Sequence, residues 1–136
     1  MDNSENRLND VFFYGLYMDP ELLKARGVDP RNPRKATAKG YRLCIGKMAT
    51  LLRGLESEAQ GMVYSLTHDE INKLYSGAGL DMYVAEALVV ETDTHEVLPV
   101  LCCNLLIPPA EDEANPEYFE KLLGCMNKLG LNTPGI

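Results

Sequence analysis

Along the chain, apolar positions come in short runs whose period switches between two and about 3.6, and each switch marks an element. "VFFYGLY", Val11 to Tyr17, is aromatic and β-branched and predicts a buried strand. It runs directly into "MDPELLKARG", where Asp19 predicts a cap, Pro20 the first helical position and Gly27 the stop. "RNPRK", Arg31 to Lys35, predicts a loop from its proline and charge. "ATAKGYRLCIG" predicts an irregular extended segment broken at Gly40, "MATLLRG" a short strand, and Gln60 to Leu66 a further strand. "THDEINKLYSG" carries the clearest helical pattern. Thr67 and Glu70 form a capping box, Ile71, Leu74 and Tyr75 share one face, and Gly77 ends it. "MYVAEALVVET" and "EVLPVLCCNLLI" predict an antiparallel hairpin, with Pro99 pushing its second strand towards an edge or bulge. After the acidic loop "PPAEDEAN", Asn115 and Pro116 open a last helix with a stripe of Phe119, Leu122, Leu123 and Met126.

The order is strand, helix, several strands, helix, two strands, helix. Strands outnumber helices and connections are short, which predicts an α+β fold with a strongly curved, mixed or mostly antiparallel, barrel-like sheet and a few flanking helices. No Gly-rich dinucleotide fingerprint and no phosphate-binding loop is present. With no internal repeat and no linker, the reading is a single domain over 1–136 with its core over about 11–131.

Composition narrows the partners. The chain has 136 residues, 46% hydrophobic and 24% charged, ordinary for a soluble globular protein. Its net charge of −7 argues against nucleic acid and anionic membrane as partners. The nearest thing to a basic run, Arg31 to Lys35, reads as solvated charge rather than a phosphate site. No apolar stretch reaches the roughly 18 residues of a membrane span, and the polar, acidic start is not a signal peptide, so the expected location is cytoplasmic. None of the four cysteines makes a C-x-x-C pair. Cys102 and Cys103 fall on opposite strand faces as small hydrophobes, and His68 and His95 sit in polar surroundings. No metal, no cofactor and no Cys–His dyad is expected. The expected partner is a small-molecule ligand, and the chain a monomer or homodimer.

Several features then fall in a recognisable order: "FFYGLYMDPELL", "GYRL", "GMVYSLTHDEINKL", "SGAGLDMYVAEALVV" and a terminal helix ending "GCMNKLGL". Together they resemble the gamma-glutamylcyclotransferase-like family, which includes plant proteins induced during avirulence responses. The resemblance runs from Val11 to Leu131 and rests on order and spacing. It implies a barrel-like sheet around one cavity. It also implies an intramolecular reaction in which the α-amine of a gamma-glutamyl amide attacks its own γ-carbonyl, giving 5-oxoproline and releasing an amine, with proximity supplying much of the rate. No metal or organic cofactor enters that chemistry.

By the same resemblance, Tyr14, Gly15, Leu16 and Tyr17 line the glutamyl pocket, with Leu16 where the family carries serine. Physically, a strand ending against a helix start leaves N–H groups to face an anion, aided by the helix dipole, and Gly15 lets a ligand approach the main chain. A plain strand–helix turn in which Gly15 serves geometry alone fits the same residues. The family's proton-shuttling glutamate falls on Ser76 and its following tyrosine on Tyr83. A serine hydroxyl cannot act as that base, and losing acid–base help costs on the order of 10²–10⁴ in rate. Asp81, in the same loop, is the candidate substitute. Glu86 lies on the strand face opposite Tyr83, and Glu56 and Glu58 in a loop. The expectation is a pocket for a gamma-glutamyl amide or a similar small anion-bearing ligand, with cyclisation weakened or lost. The alternatives are an active cyclotransferase or acyltransferase using Asp81, and a non-catalytic interaction protein.

Overall fold

Five strands close into a barrel in the computed structural model, which describes residues 7–46, 48–75, 82–105, 107, 109 and 115–131. They are β1 (Asn9–Phe13), β2 (Arg31–Ile45), β3 (Ala49–Leu66), β4 (Tyr83–Thr92) and β5 (Val97–Leu105). Their order around the barrel is β1-β3-β2-β4-β5. Neighbours are antiparallel except β1 and β5, which run parallel and meet at Val11 and Leu101. The helices are α1 (Pro20–Ala25), α2 (His68–Tyr75) and α3 (Pro116–Leu129), and a 3₁₀ turn, Leu16–Met18, joins β1 to α1. None of the described helices is long and apolar enough to cross a membrane.

Strand alternation divides the apolar residues into two sets. Phe12, Val63, Leu88, Val90, Val100 and Cys102 pack together inside the barrel, where the small Ala36, Ala38, Ala49 and Ala59 leave room for tightly curved strands. Val11, Phe13, Met62, Tyr64 and Leu66 form the other set, covered by Leu23 of α1, Leu74 of α2, and Leu122, Cys125 and Met126 of α3. Phe13 and Phe12 are successive residues and contribute one ring to each set. The buried stripe of α3 is therefore Leu122, Cys125 and Met126, with Phe119 and Leu123 only half-buried.

Local signals explain the helix ends. The Asp19 carboxylate accepts the Glu21 N–H, and Pro20 opens α1. At α2 the capping box is reciprocal, with Glu70 N–H on Thr67 Oγ1 at 3.3 Å and Thr67 N–H on Glu70 Oε1 at 3.0 Å. Asn115 caps α3 through the Tyr118 N–H, and Gly130 ends it in the left-handed region at φ 73°.

Two expectations need correction. Arg31 to Lys35 is not a loop but the start of β2, because its charges have partners on α2 and β1. Arg31 reaches Glu70 at 2.8 Å and Arg34 reaches Asp10 at 2.8 Å. Pro33 is accommodated where the β2–β3 register shifts between Arg31 and Arg34, beside Asn32 at φ 53°. The two short strands expected between Met48 and Leu66 are one strand, β3. It bends where the register with β2 breaks between Lys39 and Tyr41, opposite Gly40 (φ 85°) and near Glu56 (φ 63°). Gly61 marks a close crossing, since a Cβ there would collide with the Phe13 carbonyl.

Candidate functional site

A cavity of about 330 Å³ opens where β1 ends and the 3₁₀ turn begins. It lies where the two apolar sets meet, so both Phe12 and Phe13 wall it. Five of the chain's seven tyrosines line it: Tyr14, Tyr17, Tyr75, Tyr83 and Tyr118. Gly15 and Leu16 complete the wall on the β1 side, and Met48 and Ala49 enter from the start of β3. Arg26, just past α1, is the one charged side chain among the described lining residues. Its guanidinium lies 5.9 Å from the centre of the Tyr17 ring.

The aromatic rings hold one another. Phe13 and Tyr17 meet edge-on at 6.4 Å, Tyr17 and Tyr75 at 5.9 Å and 90°, and Tyr75 and Tyr83 at 5.5 Å. Most of the hydroxyls are tied to backbone. Tyr14 donates to the Cys103 carbonyl at 2.7 Å, Tyr83 to the Ala49 carbonyl, and Tyr17 to the Leu74 carbonyl at 3.4 Å. Tyr75 meets the Cys103 thiol instead, and the Tyr118 hydroxyl accepts the Leu16 N–H at 3.2 Å. Burial pushes the Tyr14, Tyr75, Tyr83 and Tyr118 phenols above their usual range, so all four are neutral donors and acceptors at physiological pH.

The expected residues Tyr14, Gly15, Leu16, Tyr17 and Tyr83 thus face one cavity. Leu16 presents an apolar group, packed partly against the helix-covered set. Ser76 and Asp81 lie outside the described residues. Glu86 is exposed, pairs across the sheet with Cys102, and has its carboxylate 3.4 Å from Asn104 Nδ2, away from the lining. Glu56 and Glu58 are exposed and also outside the lining.

Part of the junction expected to face an anion is already engaged. The Asp19 carboxylate occupies the positive end of α1, and Lys128 pairs with it at 3.3 Å. The Leu16 N–H is covered by Tyr118. Arg26, at the opposite end of that helix, brings a positive side chain to the cavity lining. Sequence reading missed Arg26, Tyr75 and Tyr118 as lining residues. Tyr75 could be placed only on the apolar face of a helix. Tyr118 was an aromatic in an otherwise polar first turn. Arg26 carried no signal beyond its place before Gly27.

Burial raises Cys102 and Cys103 above the usual thiol range, Cys103 to about 11, which keeps both protonated and unreactive. Among the described residues no three His, Cys, Asp or Glu side chains gather to hold a metal ion.

Comparison with known proteins bears on this geometry. The family model described as "Gamma-glutamyl cyclotransferase, AIG2-like" matches residues 11–119. No curated protein matches the sequence. Among solved structures, one titled "Gamma-glutamyl cyclotransferase" superposes with a TM-score of 0.74 at 18% identity, over 91% of this chain and 81% of that one. An uncharacterized protein from Homo sapiens gives 0.75 at 17% identity, over 92% and 82%. A protein from Arabidopsis thaliana, solved in solution, gives 0.68 at 20% identity, over 95% and 88%. At these identities the structural matches speak for the fold.

Proposed function

The chain belongs to the gamma-glutamyl cyclotransferase, AIG2-like family, and from that premise we propose that its tyrosine-lined cavity binds a gamma-glutamyl amide or a similar small anion-bearing molecule, with little or no turnover. The observation that carries this is the cavity of about 330 Å³ beside Tyr14 to Tyr17, whose described lining holds one cation, Arg26, and no carboxylate. Its size falls in the range of small-molecule sites, and its mostly apolar wall with a few polar groups is the usual composition of one.

The family reaction forms a bond from the substrate's α-nitrogen to its γ-carbonyl carbon, Cδ, and breaks the bond from that carbon to the leaving nitrogen. Two protons leave the α-ammonium nitrogen as it becomes the lactam N–H, and two arrive on the departing nitrogen, which leaves as an ammonium ion. The aromatic wall favours a folded glutamyl chain, and Arg26 attracts its carboxylate. Moving these protons is the task without an assigned group. Ser76 stands at the position of the family glutamate, and a hydroxyl of ordinary acidity cannot carry a proton at neutral pH. The neutral phenols around the cavity do not replace a carboxylate.

The test is binding and turnover measured together. Titration calorimetry with L-glutamine, other gamma-glutamyl amides and 5-oxoproline is expected to give heat of binding, while mass spectrometry detects no 5-oxoproline release above background. Ser76→Glu is expected to raise release by about 10²-fold or more. Absence of binding by all of these compounds overturns the reading. Release of 5-oxoproline that Asp81→Asn abolishes would instead make the protein an active cyclotransferase with Asp81 as its acid–base group.

A further inference from the structure

The geometry points to Tyr118 as a ligand-binding residue of this cavity, the group that donates a hydrogen bond to the carboxylate of a zwitterionic guest, while Tyr83 accepts one from the guest's ammonium. The assignment rests on the functional reading above and deepens it.

A phenol has one proton to give and lone pairs to accept with. Where the proton goes decides what the group offers a ligand. The Tyr118 oxygen accepts the Leu16 N–H at 3.2 Å. Among the described residues no acceptor takes the Tyr118 proton, which suits its donation to a guest in the cavity. Accepting the amide also polarises that O–H and strengthens it as a donor. Tyr83 is the reverse case. Its proton is committed to the Ala49 carbonyl of β3, so only its lone pairs face outward. The two phenols are near enough for Tyr118 to add to the elevation of the Tyr83 pKa, after burial.

Placement agrees. Tyr118 comes from the first turn of α3, held there by the Asn115 cap on its own N–H. Its hydroxyl lies over Gly15, where an added Cβ would come within 2.6 Å of that oxygen. Gly15 is thus the residue that lets the α3 hydroxyl reach the end of β1. Arg26, which lines the same cavity beside Tyr17, adds attraction for negative charge. The cavity therefore offers a donor at Tyr118, positive charge at Arg26 and an acceptor at Tyr83, which together suit a zwitterionic guest.

Three probes separate the two phenols. L-glutamine carries both charges, glutaramate lacks the ammonium, and 4-aminobutanamide lacks the carboxylate. Calorimetry on the full chain is expected to show Tyr118→Phe losing about ten- to hundredfold in affinity for glutamine and glutaramate, as for removal of a hydrogen bond to a charged group, with 4-aminobutanamide unchanged. Tyr83→Phe is expected to lose as much for glutamine and 4-aminobutanamide and nothing for glutaramate. In the wild-type protein, the Leu16 amide proton resonance is expected to move on adding glutaramate and to stay put with 4-aminobutanamide, which decides the matter even where a variant fails to fold. Equal losses for all three probes, or a Leu16 resonance indifferent to glutaramate, overturn the Tyr118 assignment while leaving the proposed function standing. A wild-type protein that binds none of the probes and no 5-oxoproline overturns both.

Discussion

Glu70 shows how much a single side chain carries. It is buried, yet it accepts hydrogen bonds from Arg31, from the Thr67 N–H and from the Asp29 N–H. Burial alone would raise its pKa; the Arg31 hydrogen bond, the two amides and the Arg31 charge outweigh it and hold the carboxyl at about 2, against an ordinary 4.5. A carboxyl depressed by folding stabilises above its unfolded pKa and loses that contribution as pH falls through its folded one. The stabilisation, on the order of 3 kcal/mol, is therefore full above about pH 4.5 and fades towards pH 2. Urea unfolding of wild type and Glu70→Gln is expected to differ by about 2–3 kcal/mol at pH 7 and to converge as pH approaches 2. Gly61 makes a second case. A methyl group there meets the Phe13 backbone rather than a side chain that can swing aside. Gly61→Ala is expected to cost about 1–3 kcal/mol in the same measurement.

At the level of elements, short sequence signals were read correctly where the partner lay nearby in the chain. The Thr67–Glu70 capping box, the Asp19 and Asn115 caps and the hairpin of β4 and β5 all depend on neighbours within a few residues or across one turn. The misread segments depended on distant partners. Arg31 to Lys35 is charged because it faces Asp10 and Glu70, and charge without a visible partner reads as loop. The bend in β3 reads as a break because a kinked strand and two strands have the same local pattern. The α3 cap also bears on the site, because α3 carries Tyr118. Asn115→Ala is expected to cost about 1 kcal/mol of stability in thermal unfolding and to weaken carboxylate binding more than ammonium binding, checked with the same glutamine analogues.

For the molecule as a whole, closing the barrel brings the end of β1, the start of β3, the end of α2, the start of β4 and the first turn of α3 around one hollow. Filling that hollow stabilises the folded chain by mass action. At a ligand concentration 100 times its Kd the gain is about 2.7 kcal/mol, expected as a rise of several degrees in Tm with L-glutamine or 5-oxoproline. Glutamine's gain is expected to shrink in Tyr118→Phe.

Part of this protein was decided locally. The strand and helix periods, the caps and the family resemblance are all properties of residues in order, and Tyr14 to Tyr17 and Tyr83 were named from that order. The remaining pocket was decided by tertiary structure. Arg26, Tyr75 and Tyr118 stand far apart in the chain and carry no shared motif. Their meeting is a consequence of how the barrel closes and how α3 lies over Gly15. Whether a phenol donates or accepts depends on which backbone group it faces, and a linear string does not contain that geometry.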